Sequence, residues 1–290
     1  MLGKSFPDKC GAIILDCDGT LWPYCITTEF LRFQGHVISR QNAEANPHFI
    51  TPEDGFHDVW AKFSRRGLSG EDIFLQSMLH MDQGKPIYRE DMEKFGASFK
   101  DYHPGVENCI DDLKDGVPVY LLSCVPVEIL QHTSIGEKVA GIIASEFEFD
   151  SSGRISGAHR IMTSKGKVTA LRELIKKMPG TKFCVVGDDK SDGKLFLENW
   201  RHGGTSIGIT TGMTSDGPQH KSRQPHLEAM HLAGAHLHEA DYRPGTPLYR
   251  AIYSSLQETV PHARISRTLY FPPYGRNSGT AAPRLSLQGI

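Results

Sequence analysis

Ala12-Ile13-Ile14-Leu15-Asp16-Cys17-Asp18-Gly19-Thr20 is the stretch whose reading decides the fold. Four apolar residues in a row are too few for a buried helix and suit a short strand covered on both faces. The run ends on two carboxylates one residue apart, followed by a glycine. In an open α/β sheet, ligands gather beyond the carboxyl ends of the strands. Asp16 and Asp18 are therefore the first candidate site residues.

Further along the chain the same strand pattern recurs. Val117 to Ser123 is a second buried strand, with Pro118 near its start, where proline is tolerated. Ile142-Ile143-Ala144 is a third, and Lys182 to Val186 a fourth, which runs into Gly187-Asp188-Asp189. Ser206 to Ile209 and His236 to His238 are weaker strand signals. Glu146 to Gly157 reads as a hairpin with Asp150-Ser151-Ser152-Gly153 at its tip. Helical patterns separate the strands: His103 to Lys114, Pro126 to Ile135, Lys165 to Met178, Ser191 to Trp200 and Thr246 to Glu258. Strands alternating with helices imply parallel pairing, so the expected class is α/β with a doubly wound, Rossmann-like parallel sheet.

Between Tyr24 and Tyr102 strand signals give way to helices. Thr51-Pro52-Glu53 has the form of an N-cap, a first-turn proline and an early acid. Phe56, Val59, Trp60 and Phe63 follow at helical spacing. Ser69-Gly70-Glu71-Asp72 opens a second helix carrying Ile73, Phe74, Met78 and Leu79, and Arg89 to Lys100 is a third. A helical block between two strands of one sheet is an inserted cap, with Trp22-Pro23 packing at its hinge. The expected organisation is a core of residues 1–23 and 103–260, a helical cap of 24–102, and a flexible tail of 261–290. The polar stretch Thr211 to Gln224 reads as a surface loop.

The composition narrows the functional classes. The chain has 290 residues, 32 Lys+Arg against 34 Asp+Glu, and a formal net charge of -2. That balance provides no field for nucleic acid or anionic lipid. No stretch approaches the roughly 20 apolar residues of a membrane span. Met1 to Lys9 lacks the apolar core of a secretory signal. The six cysteines, at 10, 17, 25, 109, 124 and 184, form no C-x-x-C pair and no zinc spacing. A reducing, cytoplasmic setting is the simplest expectation.

Four strand ends and helix starts carry polar residues: Asp16 and Asp18, then Ser123, then Lys165, then Asp188, Asp189 and Asp192. Together they provide a nucleophile, an acid, an anion-binding hydroxyl, a cation and an acidic metal-binding cluster. Such a set suits phosphoryl transfer through an aspartyl-phosphate. A carboxylate attacking a phosphate dianion is repelled unless a cation such as Mg²⁺, which prefers oxygen ligands, shields both charges. Asp16 is then nucleophile and metal ligand, and Asp188 a second ligand. Ser123 and Lys165 hold the phosphoryl group, and Asp18 moves the proton. Lys167 competes with Lys165 for the cationic role.

The motifs resemble those of the haloacid dehalogenase (HAD) superfamily, in its phosphoserine-phosphatase-like branch. D-x-D-x-T matches Asp16 to Thr20, a strand ending in Ser matches Leu121-Leu122-Ser123, and G-D-x-x-x-D matches Gly187 to Asp192. The pattern K-G-x-x-x places the family lysine at Lys165. The resemblance covers residues 10 to about 210. It implies Asp16 as nucleophile and Asp18 as acid/base, and phosphate binding by Gly19, Thr20, Ser123 and Lys165. Mg²⁺ would be held by Asp16, the Asp18 carbonyl and Asp188, with Asp192 behind them. The implied activity is Mg²⁺-dependent hydrolysis of a small phosphorylated metabolite. A phosphotransferase using the same intermediate, or a non-catalytic binding protein retaining the fold, are the alternatives. Phosphoserine phosphatases carry a Glu nine residues after the nucleophile, where this chain has Cys25 and where Glu29 is out of register. That departure counts against phosphoserine. Arg65 and Arg66 are candidate anion contacts from the cap. The histidines at 220, 226, 231, 236 and 238 have no H-E-x-x-H pattern or Cys partner, and a structural role is favoured over zinc.

Overall fold

The computed structural model describes residues 10–39, 50–210 and 224–256. Met1 to Lys9, residues 211–223 of the expected loop, His220 and the tail from 261 lie outside the described residues. Seven strands form one sheet: β1 (Ala12–Leu15), β2 (Val119–Pro126), β3 (Gly141–Phe149), β4 (Ile155–Arg160), β5 (Phe183–Gly187), β6 (Thr205–Ile209) and β7 (His236–His238). Their order is β4-β3-β2-β1-β5-β6-β7. All neighbours pair in parallel except β3 and β4. The chain winds outward from β1 to β3 and returns to the other side of β1 as β5. The switch point, where such sheets bind ligands, therefore lies between β1 and β5.

Ten helices accompany the strands in the described residues: α1 (Ile26–Phe33), α2 (Phe56–Arg65), α3 (Gly70–Gly84), α4 (Arg89–Ser98), α5 (Val106–Lys114), α6 (Val127–Leu130), α7 (Ser164–Lys177), α8 (Gly193–Arg201), α9 (Gln224–Leu232) and α10 (Pro247–Ser255). The two-residue period of the strands sorts the core. Ile13, Leu15, Val119, Leu121, Cys184 and Val186 face one way and pack with Ile110 of α5 and Ile252 of α10. Ala12, Ile14, Tyr120, Leu122, Phe183 and Val185 face the other way and pack with Leu171 of α7 and Phe196 of α8. Because helices cover both faces, the central strands read as continuous apolar runs.

Helices α1 to α4 fall between β1 and α5, as expected of an inserted cap. Their apolar residues, including Phe30, Phe56, Phe74, Met78 and Met92, join the first of these two cores. The aromatic set at helical spacing packs internally, with Phe56 and Trp60 each against Phe74.

Helices α1 and α9 have no counterpart in the sequence reading, β2 runs on past Ser123 to Pro126, and three further elements differ from it. Helix α2 begins at Phe56 rather than after Thr51, because Asp54 turns inward to a buried Lys62 and accepts the Thr51 N–H at 2.7 Å. The expected third strand and the first arm of the hairpin are one strand, β3, which pairs in parallel with β2 and then antiparallel with β4. Helix α6 has a single turn in place of Pro126 to Ile135. The Thr133 hydroxyl donates to the Leu130 carbonyl at 2.7 Å, and a Cβ at Gly136 would lie 1.9 Å from that same oxygen, so the chain folds back there.

Candidate active site

Asp16 continues directly from β1, and its N–H donates to the Val186 carbonyl of β5 at 2.9 Å. That pairing holds the end of β1 against β5, with Asp188 just beyond. Carboxylate oxygens of Asp16, Asp188 and Asp192 all lie within 4.8 Å of one another, and all three residues are buried. The loop between Asp16 and Thr20 approaches β5 so closely that only glycine fits at position 19. Its φ is 71°, and an added Cβ would stand 2.1 Å from Asp188 Oδ2.

The cation among these acids is Lys167. Its Nζ lies 2.9 Å from Asp16 Oδ1 and 2.8 Å from Asp192 Oδ1, in a site closed to solvent. Lys165, the expected cation, is exposed on α7. Two residues rotate a helix by about 200°, so Lys165 and Lys167 point to opposite sides. Lys167 instead continues the buried stripe of Ala170, Leu171 and Leu174. Helical periodicity alone, applied to α7, would have singled it out.

The charges shape one another. Burial, opposed by Lys167 and reinforced by Asp192 and Asp18, pushes the Asp16 carboxyl up to about 8. Burial alone would lower the Lys167 ammonium, but Asp16 and Asp192 raise it well above its ordinary value. Two of the three buried carboxylates, Asp16 and Asp192, thus share one lysine. An all-oxygen donor set with surplus negative charge fits a hard divalent cation. Asp16, Asp188 and Asp192 are the residues that could hold it.

Asp18 is fixed by its own loop. Its Oδ1 accepts from the Trp22 indole Nε1 and from the Ile26 N–H at the start of α1, each at 2.9 Å. The Cys25 side chain lies beside this carboxylate. Burial raises the Asp18 carboxyl, and these donors together with Lys167 only partly offset it. Ser123 is buried within β2, three residues before its end and where the register with β3 shifts, and its Oγ accepts the Val125 N–H at 3.2 Å. Thr20 is buried and its hydroxyl has no partner. Its backbone carbonyl accepts the Tyr242 hydroxyl at 2.9 Å, which ties the loop after β1 to the segment before α10.

The other acids and cations have clear places. Asp189 caps the short 3-10 turn of Lys190 to Asp192 by accepting the Ser191 N–H at 2.7 Å. Asp192 Oδ2 accepts the Asp189 N–H at 3.2 Å. Arg65 and Arg66 are exposed at the end of α2, and Arg66 lies over the Phe63 ring. His236 is exposed and His238 half-buried on β7, and neither belongs to a metal-binding cluster among the described residues. Trp22, the Cys25 thiol and Lys167 are the site residues that motif spacing alone did not assign.

No helix among the described residues is long and apolar enough to cross a membrane. No curated protein sequence matches the chain. Among solved structures, a substrate-bound phosphoserine phosphatase aligns over 86% of this chain and 100% of its own, at 17% identity and a TM-score of 0.54. A phospho-aspartyl intermediate analogue of phosphoserine phosphatase aligns over the same shares at 17% identity and a TM-score of 0.53. A HAD family hydrolase from Salmonella enterica serovar Typhi aligns at 15% identity and a TM-score of 0.53, over 71% of this chain; the match spans 65% of that hydrolase's length. These likenesses establish a shared fold. The family model described as haloacid dehalogenase-like hydrolase matches residues 13–196, from β1 into α8 and through every element that supplies the acids and the lysine. The chain belongs to the haloacid dehalogenase-like hydrolase family.

Proposed function

We propose that this protein is a Mg²⁺-dependent phosphomonoesterase that works through an aspartyl-phosphate on Asp16. The observation that carries the reading is the buried Asp16 carboxylate, set 2.9 Å from Lys167 and within 4.8 Å of Asp188 and Asp192. A capture of a structurally similar phosphoserine phosphatase as a phospho-aspartyl intermediate analogue supports the same chemistry.

Asp16 attacks phosphorus, and the bond to the alcohol oxygen breaks as the aspartyl-phosphate forms. Asp18 gives its proton to the departing alkoxide. It then takes a proton from the water that attacks the aspartyl-phosphate, which regenerates Asp16 and releases phosphate. Its raised pKa suits it to hold a proton for the first half of this cycle. The Ser123 hydroxyl donates to a phosphoryl oxygen, and Lys167 offsets the negative charge gathered on Asp16 and the transferring group. Mg²⁺ bound by Asp16, Asp188 and Asp192 would supply the charge shielding that lets a carboxylate approach a phosphate dianion. Helices α1 to α4 act as a lid that excludes water. The substrate is a small phosphorylated metabolite. Cys25 stands where phosphoserine phosphatases read an amine, which argues for a substrate other than phosphoserine.

Hydrolysis of an aryl phosphate and of a panel of phosphorylated metabolites, each with Mg²⁺ and with EDTA, tests this reading. Turnover that needs Mg²⁺ and disappears in Asp16→Asn is expected. Turnover unchanged in Asp16→Asn would overturn it.

A further inference from the structure

We propose that Trp22 is the positioning residue for the acid–base carboxylate, holding Asp18 so that one fixed oxygen meets the leaving group. This rests on the phosphomonoesterase reading and adds a residue to it.

Trp22 lies four residues after Asp18, where the chain leaves the sheet for α1. It is fully buried, and its indole N–H donates to Asp18 Oδ1 at 2.9 Å. The Ile26 N–H reaches the same oxygen, also at 2.9 Å. Two N–H donors on one carboxylate oxygen oppose rotation about the Cβ–Cγ bond. They also occupy that oxygen, which leaves Oδ2 to face the leaving group.

The indole is itself immobilised. Its ring meets Phe99 edge-on, with centroids 5.3 Å apart, and packs against Tyr102 at 6.0 Å. Phe99 and Tyr102 form a T-shaped pair at 5.5 Å. These two residues lie where the chain returns from α4 towards α5, so the returning segment grips an indole that belongs to the outgoing one. The Ser134 hydroxyl donates to the Tyr102 hydroxyl at 3.1 Å, which ties this aromatic group to the turn after α6. A buried indole N–H usually finds an acceptor. Here that acceptor is the side chain whose orientation matters most for proton delivery, and the insertion is thereby linked to the acid.

The test exploits the dependence of proton delivery on the leaving group. A departing 4-nitrophenolate needs little protonation, whereas a departing alkoxide needs a well-placed acid. The value of kcat/KM reports the steps up to leaving-group departure, so Trp22→Phe is compared with wild type on 4-nitrophenyl phosphate and on a simple alkyl phosphate. The loss on the alkyl ester is expected to exceed the loss on the aryl ester by about tenfold or more, the scale of one charge-assisted hydrogen bond. An equal loss on both esters, or no loss on either, would overturn the inference. If Trp22→Phe fails to fold, incorporation of benzothienylalanine at position 22 keeps the bicyclic shape and removes only the donor. Absence of wild-type turnover on every ester would instead refute the phosphatase reading, which separates the two failures.

Discussion

Lys167 Nζ stands 2.9 Å from Asp16 Oδ1, with both side chains withdrawn from solvent. This contact puts Lys167, rather than the exposed Lys165, among the buried acids. Lys167→Met is expected to lower kcat/KM roughly hundredfold or more, the scale for removing one preorganised electrostatic partner. Lys165→Met, on the exposed side of α7, should stay within roughly twofold of wild type. Steady-state kinetics on both variants decide the point. The reverse ranking would return the role to Lys165.

Crowded buried acids favour function over stability. Asp188→Asn removes one of three carboxylates held within 4.8 Å of one another. In EDTA the variant should therefore melt no lower than wild type. Saturating Mg²⁺ should stabilise the wild type by about 3 kcal/mol at a hundredfold excess over Kd, and the variant much less. Thermal melts with and without Mg²⁺ read both effects. Equal stabilisation of the two proteins would remove Asp188 from the metal site.

Gly19 is where the loop after β1 meets Asp188. In Gly19→Ala the new Cβ would start 2.1 Å from Asp188 Oδ2, at a φ of 71°. The left-handed backbone costs about 1–2 kcal/mol, and Asp188 must move as well. A lower melting temperature together with a higher Mg²⁺ requirement is expected. A variant that melts lower but keeps its Mg²⁺ requirement would show that the loop, and not Asp188, absorbs the strain.

The acids of the site were legible because strand ends and glycines mark them. Asp16 and Asp188 follow short apolar runs, and the β1–β5 pairing brings those two ends together. For the lysine two signals disagree: the local K-G pattern points to Lys165, and the buried stripe that Lys167 shares with Leu171 and Leu174 points to Lys167. Trp22 packs against Phe99 and Tyr102, but its bond to Asp18 depends on how the loop curls over four residues, which no periodicity encodes. The extra length of β3 was hidden because its two halves have different partners, β2 and then β4. Helix α2 was started too early because Thr51-Pro52-Glu53 mimics a cap. The inward turn of Asp54 towards Lys62, eight residues on, is a tertiary choice that overrode it.

Glu128 in α6 carries a pH dependence of stability. It is buried, its Oε1 accepts the Phe147 N–H at 3.2 Å, and its Oε2 has no partner. Burial pushes its carboxyl up to about 7, against an ordinary value of 4.5. The folded state thus holds this proton more tightly than the unfolded chain. The contribution of Glu128 is fully present below about pH 4.5 and is lost as the pH rises to about 7, an effect of roughly 3 kcal/mol. Glu128→Gln keeps the acceptor for Phe147 and cannot ionise. Its stability relative to wild type should rise by that amount between pH 4.5 and pH 8 in urea titrations. A difference that stays flat across this range would show that Glu128 remains ionised in the fold.

Lys62 and Asp54 form a second buried ion pair, inside the helical insertion, with both side chains 1% exposed. Lys62 Nζ donates to both carboxylate oxygens, at 2.8 and 2.7 Å, and Asp54 also accepts the Thr51 N–H. Burial raises the Asp54 carboxyl, but these bonds outweigh it and hold the group below its usual range. Removing one member of such a pair leaves an uncompensated charge, whereas removing both charges together is often nearly neutral. Lys62→Met should therefore cost about 3–5 kcal/mol in urea unfolding. Adding Asp54→Asn, which retains an acceptor for Thr51, should restore most of that loss. If the double variant is no more stable than Lys62→Met, the lysine stabilises α2 through the packing of its aliphatic stem, and the charge pair contributes little.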